Sequence, residues 1–232
     1  MLYHFLGRSV KSEDEQYELL TKIIKDGWLT FPPHENSVNP GQIKIDSFKE
    51  RKINEMFIPE CVCFADIPKD QLKIHMEKYS KFGIGFSKSF LVKKGVNPVF
   101  YIDENSLVYK MNFSTNMLEL TKKTDYYQEN CSKAMWYFIS KYLPYCQKSE
   151  DEYRDTWEIY LFLTNIFSHF KVWNSNLEDS DPSNYYFERE WRAINNIDFQ
   201  LSDIVMIIIP KNYETQFREN FPGYTGKIEF SD

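Results

Sequence analysis

The sequence predicts an α+β fold built on a mixed, mostly antiparallel sheet. Short apolar runs of strand length are separated by helical segments of unequal length, and the runs at 171–173 and 185–194 are arranged as one hairpin. The chain has no G-x-G-x-x-G turn after its first strand, no P-loop and no H-E-x-x-H helix, which disfavours a doubly wound parallel fold. Its 232 residues suit one domain, 1–232, with a helical insertion at 104–170.

The N-terminal segment is predicted to form a strand, a helix and a second strand. The first strand covers residues 1–5. Ser12 and Glu15 have the spacing of a capping box, in which each side chain bonds the backbone N–H of the other residue. Apolar residues then recur at helical spacing up to Gly27, which is expected to end the helix. The apolar run 28–31 is predicted to be the second strand.

The stretch from Glu60 to Ile102 is predicted to form strand, helix, strand, short helix and strand. Asp66 and Pro68 are typical of a helix start, because a carboxylate caps free N–H groups and proline needs no acceptor there. Polar residues at four-residue steps share one stripe of this helix: Gln71, His75 and Tyr79. Two glycines in the next strand, Gly83 and Gly85, indicate that a neighbouring strand or a ligand comes close.

The rest of the chain contains one long polar segment, two helical segments and the closing strands. Residues 34–55 are polar and indicate a long surface loop or a mobile lid. The apolar residues of 104–145 and 149–170 recur at helical spacing. The other predicted elements are strands at 99–102, 171–173, 185–194, 204–210 and 227–230, and a helix at 213–221.

Composition excludes several classes of protein. The formal net charge of −6 and the absence of a basic stripe argue against non-specific binding to nucleic acid. The longest apolar run, 204–209, has strand length, and no signal peptide or lipidation motif is present, so a cytoplasmic protein without a membrane partner is expected. The four cysteines lack metal-ligand spacing, and no metal site is predicted.

Several short motifs together resemble the AbiGi family of abortive phage-resistance proteins, whose members are labelled antitoxins. They are LYHF near the N terminus, C-F-x-D-I-P, Q-x3-H-x3-Y, FGIGFSK, GVNPVFYI and FEREWR. This resemblance implies a role in bacterial defence against phage. It also implies a partner, which could be a cognate toxin, a phage or host protein, or a nucleic-acid target; the oligomeric state stays open.

The FEREWR motif is predicted to lie on a strand, so its side chains alternate between two faces. Three charges share one face: Glu188, Glu190 and Arg192. Either this face is exposed to solvent and its charges pair with one another, or it lines a cleft together with His4 and the turn 83–88.

The second interpretation is similar to the layout of ADP-ribosyltransferases, which implies NAD as substrate. In that case Glu190 would stabilise the positively charged ribosyl centre and Glu188 would orient the acceptor. The expected NAD-binding residues are His4 at the ribose, Tyr79 or Ser87 near the nicotinamide, and Gly85 in the same middle strand. We therefore expect His4, Tyr79, Ser87 and Glu190 to converge on one cleft.

Two alternatives stay open. A cysteine nucleophile, Cys61 or Cys63, could use His75 as its base, although a thiol in an apolar strand has a raised pKa and low reactivity. The other alternative is a non-catalytic antitoxin that holds a toxin through residues 34–55 or through the helical region.

Overall fold

The structure is a computed structural model that describes residues 1–6, 12–31, 43–45, 57–59, 61–107, 162, 165–166, 168–178, 181 and 184–232. The chain forms two compact units. The first unit consists of Met1–Gly41, Cys61–Pro98 and Asp179–Asp232, and the second of Gln42–Glu60 and Val99–Glu178. Most of the predicted helical insertion and of the predicted 34–55 loop or lid lies outside the described residues.

Thirteen strands and four α-helices are present in the described part of the chain. The strands are β1 Leu2–Phe5, β2 Trp28–Leu29, β3 Ile43–Ile45, β4 Phe57–Pro59, β5 Val62–Ala65, β6 Gly83–Phe86, β7 Asn97–Pro98, β8 Phe100–Asp103, β9 Phe170–Trp173, β10 Glu190–Ala193, β11 Ile197–Asp198, β12 Ile204–Ile209 and β13 Lys227–Phe230. The helices are α1 Glu13–Asp26, α2 Leu72–Lys78, α3 Lys88–Lys93 and α4 Glu214–Asn220.

The first unit is built on a seven-stranded sheet with the order β13-β12-β6-β1-β5-β10-β7. Every neighbouring pair is antiparallel except β12 with β13. The predicted α+β class with a mixed, mostly antiparallel sheet is therefore confirmed. β2 and β11 form a separate antiparallel pair in the same unit.

The second unit contains two strand pairs among its described residues, β3 with β4 antiparallel and β8 with β9 parallel. The expected hairpin between 171–173 and 185–194 is wrong, because β9 pairs with β8 whereas β10 pairs with β5 and β7. Only long-range pairing decides which strands become neighbours, and the short loop between the two runs does not force them together.

Helix α1 follows its local sequence signals closely. Ser12 Oγ accepts the Glu15 N–H and the Glu15 carboxylate accepts the Ser12 N–H, so the capping box is formed. Gly27 ends the helix in the left-handed region, with φ 67° and ψ 26°. Four apolar side chains of α1 are buried: Tyr17, Leu20, Ile23 and Ile24. They belong to the main core, which also contains Phe217 of α4 and the inward residues of the sheet.

The two faces of the sheet carry different cores because strand residues alternate. Leu2, Phe64 and Ile84 lie in the main core beneath α1 and α4. On the opposite face a smaller core contains Tyr3, Ala65, Ile67, Met206 and Ile208 together with Leu72 of α2. In the described part of the chain, no helix is long and apolar enough to span a bilayer.

Candidate functional site

Strand β10 places two charged side chains on the sheet face that carries α2. Glu190 lies opposite Ala65 and Arg192 lies opposite Cys63. Tyr3 also pairs with Ala65, so Glu190, Ala65 and Tyr3 form one row across the sheet. Trp191 points to the other face, where it packs against the main core, as its alternation predicts.

Glu190 and Arg192 form a buried ion pair. Arg192 Nε donates to Glu190 Oε1 at 2.7 Å, and a longer contact joins Nη2 to Oε2 at 3.4 Å. The exposed fractions of the two side chains are only 6% for Glu190 and 10% for Arg192. Burial opposes the charge of Arg192, but the adjacent carboxylate outweighs it and raises the pKa of the guanidinium. Glu190 is therefore already occupied by a cation within the fold.

Glu188 is anchored in a second polar cluster, which it forms with the end of α2. Lys78 Nζ lies 2.8 Å from Glu188 Oε1, and the Tyr79 hydroxyl donates to the same oxygen. The His75 ring packs against the Tyr79 ring in a tilted arrangement with centroids 4.4 Å apart, which confirms that His75 and Tyr79 share a stripe. The ammonium group of Lys78 also lies 5.3 Å from the centroid of the Tyr185 ring.

Glu188 is not on a strand, and this corrects the predicted strand 185–194. Residues Tyr186–Glu188 form a 3-10 turn, and β10 begins only at Glu190. Between them Arg189 adopts a left-handed conformation with φ 43° and ψ 54°. For a residue with a Cβ this conformation costs roughly 1–2 kcal/mol. The strand alternation therefore does not extend to Glu188, and Glu188 and Glu190 bind different partners even though they are two residues apart.

His4 lies on the other face of the sheet from Glu190. Its strand neighbour Tyr3 shares a row with Glu190, so the alternation along β1 turns His4 to the main core. There the His4 ring lies 5.6 Å from the ring of Phe64, and Nδ1 donates to the Cys63 carbonyl at 2.7 Å. The expectation that His4 and Glu190 converge on one cleft is therefore wrong.

Gly85 serves the packing of the sheet. A Cβ built at this position would lie 3.0 Å from Met1 Sδ, 3.2 Å from Met206 Cβ and 3.3 Å from Tyr3 Cδ1. At Gly83 the nearest atoms would be those of the Phe5 ring and the His4 carbonyl, at 3.2 and 3.3 Å. The close approach that the glycines predicted thus comes from residues of neighbouring strands.

Ser87 caps a helix. Its Oγ accepts the Phe90 N–H at 3.2 Å at the start of α3. The next residue, Lys88, reaches Asp66 at 2.5 Å, and its Nζ lies 5.6 Å from the Trp191 ring centroid. Ser87 therefore lies at the end of the sheet where β10 begins, but its hydroxyl has a structural contact. The structure joins Tyr79 to Glu188, and the predicted NAD-binding residues do not form a common pocket in the described part of the chain.

The two thiols of Cys61 and Cys63 lie 3.6 Å apart. Their hydrogen bond, together with the nearby charge of Glu190, raises the pKa of Cys63 well above its usual value. A protonated thiol is a poor nucleophile, which weakens the alternative of a cysteine nucleophile with His75 as its base. Among the described residues, no group of three or more histidine, cysteine and acidic side chains could hold a metal ion.

Comparison with known proteins bears on identity directly. Residues 41–223 match the family model described as "Putative abortive phage resistance protein AbiGi, antitoxin". The chain belongs to the AbiGi family. A relative called abortive phage resistance protein AbiGi, from Lactococcus lactis subsp. cremoris, is 34% identical over 84 residues, which cover 34% of this chain and 33% of the relative. The match thus spans about a third of the length of this curated relative.

AbiGi membership confirms the predicted resemblance and supports a role in anti-phage defence. The match includes the Gln71 to Tyr79 stripe and the FEREWR motif, and therefore both polar clusters. No solved structure matches the chain. An ADP-ribosyltransferase-like fold accordingly stays a prediction.

Sequence reasoning missed two members of the AbiGi chain's polar clusters, Lys78 and Tyr185. Lys78 directly precedes Tyr79, the last residue of the predicted stripe, and its carboxylate partner is 110 residues away in sequence. The one signal in the sequence was the position of Lys78 directly beside Tyr79 at the end of the predicted helix. That signal does not reveal which carboxylate is the partner.

Proposed function

We propose that this chain is the antitoxin component of an abortive-infection pair and that it acts by binding a toxin protein. The observation that carries this proposal is the family match, whose description names an antitoxin and which covers residues 41–223. Neutralising a toxin through binding requires a stable, well-ordered surface and no reactive group.

The state of the predicted catalytic carboxylates supports a binding role. Glu190 is held by Arg192, and Glu188 is held by Lys78 and Tyr79. A catalytic acid or base has to come within hydrogen-bond reach of a substrate. Glu188 connects the turn before β10 to the end of α2, and Glu190 pairs with Arg192 within β10. Both carboxylates already use their oxygens for contacts that make the first unit rigid, which is what a binding surface needs.

A protein partner fits the charge of the chain better than a nucleic acid does. The formal net charge is −6 and the sequence pI is about 5.4, so the chain as a whole repels a phosphate backbone. We therefore take the partner to be a protein.

The proposal is tested by co-expression with the product of the adjacent gene in the same operon. We expect that product alone to arrest growth, the pair to restore it, and the two purified proteins to form a complex that survives nuclease treatment. A neighbour that is harmless when expressed alone, or one that forms no complex with this chain, would contradict the proposal. A charge-neutral Glu190→Gln variant that still folds should protect as well as the natural chain.

The NAD-dependent ADP-ribosyltransferase hypothesis stays a prediction, and an experiment with labelled NAD distinguishes it from the antitoxin proposal. It is favoured by the E-x-E pair Glu188 and Glu190, but His4, Gly85 and Ser87 do not fit the expected NAD contacts. Incubation of cell extract with labelled NAD should give label transfer if the hypothesis is correct, and a folded Glu190→Gln variant should abolish that transfer. The antitoxin proposal expects no transfer from either protein.

A further inference from the structure

The 3-10 turn before β10 presents three large side chains to solvent. We call the segment Asn184–Arg189 the tyrosine turn. Tyr185 and Tyr186 have exposed fractions of 37% and 48%, and Arg189 is exposed as well. Tyrosine and arginine are among the residues that contribute most to protein interfaces, because each offers a large contact area together with hydrogen-bonding groups.

Buried polar contacts fix the tyrosine turn to the rest of the first unit. Asn184 is buried, and its Oδ1 accepts the Tyr186 N–H at 3.1 Å. Glu188 is buried and bound to Lys78 and Tyr79. The Arg189 carbonyl accepts the Asp66 N–H at 3.2 Å. A segment fixed at both ends and in the middle loses little conformational freedom when it binds a partner.

No contact within the described part of the fold explains why position 189 is an arginine. Its backbone is in the left-handed region, where glycine would be free of the steric penalty described above. Its side chain makes no hydrogen bond or ion pair with any residue that the structure describes. An exposed guanidinium that brings a backbone penalty and no internal contact is best explained by a role outside the chain.

We propose that the tyrosine turn is the docking surface for the toxin, and that the toxin presents a carboxylate to Arg189 and apolar surface to the two tyrosines. This inference rests on the proposed antitoxin function. A guanidinium bonds a carboxylate through two parallel N–H groups, which gives geometric specificity as well as attraction. The Lys78 ammonium group, 5.3 Å from the Tyr185 ring centroid, keeps that ring in place for contact.

The decisive variant is Arg189→Gly, because it separates binding from folding. Glycine accepts the left-handed backbone, so the melting temperature should stay the same or rise. Removal of the guanidinium should nevertheless weaken binding by about tenfold or more, the effect expected of an interface hot spot. Arg189→Lys keeps a positive charge without the bidentate geometry and should give an intermediate affinity. Tyr186→Ala should weaken binding to a similar extent.

The measurement is calorimetric titration of each variant with the purified, nuclease-treated product of the adjacent gene. Arg218→Ala serves as the matched control, since Arg218 is an exposed arginine on α4. If the natural chain binds and Arg189→Gly and Tyr186→Ala bind equally well, the docking surface is wrong while the antitoxin function stands. If the natural chain does not bind, the antitoxin function fails and the docking surface with it. Binding that disappears on nuclease treatment would point to RNA and would also overturn the inference.

Discussion

Replacement of Glu190 by glutamine should destabilise the protein strongly, because it removes the carboxylate that pairs with the buried charge of Arg192. Both side chains are almost fully buried and their closest polar atoms are 2.7 Å apart. Removing one member of a buried ion pair costs about 3–5 kcal/mol. Since the glutamine oxygen can still accept from Arg192 Nε, we expect the lower end, about 3 kcal/mol. For a chain of this length that corresponds to a fall in melting temperature of roughly 6–12 °C.

The assay is thermal unfolding followed by circular dichroism, with two comparison variants. Glu214→Gln removes a carboxylate from an ion pair on α4 whose side chains are 31% and 60% exposed, and it should cost less than about 0.5 kcal/mol. Glu190→Met combined with Arg192→Met removes both buried charges and should recover most of the lost stability, because neither charge of the pair has to be kept in the protein interior.

Two results would refute this reasoning about Glu190. One is a Glu190→Gln protein that melts within about 2 °C of the natural chain, the shift expected for an exposed pair. The other is a double variant that melts no higher than Glu190→Gln, since the loss would then come from packing and not from the broken ion pair.

Two further predictions concern packing and pH. Gly85→Ala should lower the free energy of unfolding by about 1–3 kcal/mol, because the new Cβ would lie 3.0–3.3 Å from atoms of Met1, Met206 and Tyr3. Urea denaturation measures this loss. Gly223→Ala is the control, because its Cβ would lie 4.0 Å from the nearest atom and its stability should change little. Burial and the hydrogen bond to Asp14 raise the pKa of Tyr213 to about 12 from its ordinary value of 10.0, so the folded state holds the proton more tightly. The stability that this shift contributes is complete below pH 10 and is lost as the pH rises towards 12. In urea melts, Tyr213→Phe should therefore lose less stability between pH 9 and pH 12 than the natural chain does. An equal loss in both proteins would contradict that assignment.

Local signals predicted the elements whose causes are local. The capping box at Ser12 and the glycine at position 27 determine where α1 begins and ends, and both act within a few residues. The apolar runs of β1, β5, β12 and β13 were likewise sufficient to predict strands, because a buried strand needs little more than β-branched and aromatic residues.

The pairing of the strands, and the sheet face on which each side chain lies, could not be predicted because they depend on segments that are distant in sequence. Whether His4 shares a face with Glu190 depends on the register of β1 and of β10 against β5, and no residue near His4 specifies that register. The strand predicted at 185–194 has suitable β-forming residues throughout, but the left-handed Arg189 interrupts it. An arginine does not indicate a left-handed conformation, whereas a glycine at that position would have indicated one.

The order in which the strands are synthesised differs from their order in space. When the ribosome has released β6, the new chain can join β5, β1 and β6 into a three-stranded sheet. Both outer strands of that sheet still lack a partner at this stage: β5 later pairs with β10, and β6 later pairs with β12. Each of these partners begins more than 100 residues after the strand that it joins. Open strand edges recruit other chains, and such long-range pairing is slow. During synthesis the nascent protein is therefore exposed to edge-to-edge aggregation until its C-terminal strands β10 and β12 emerge.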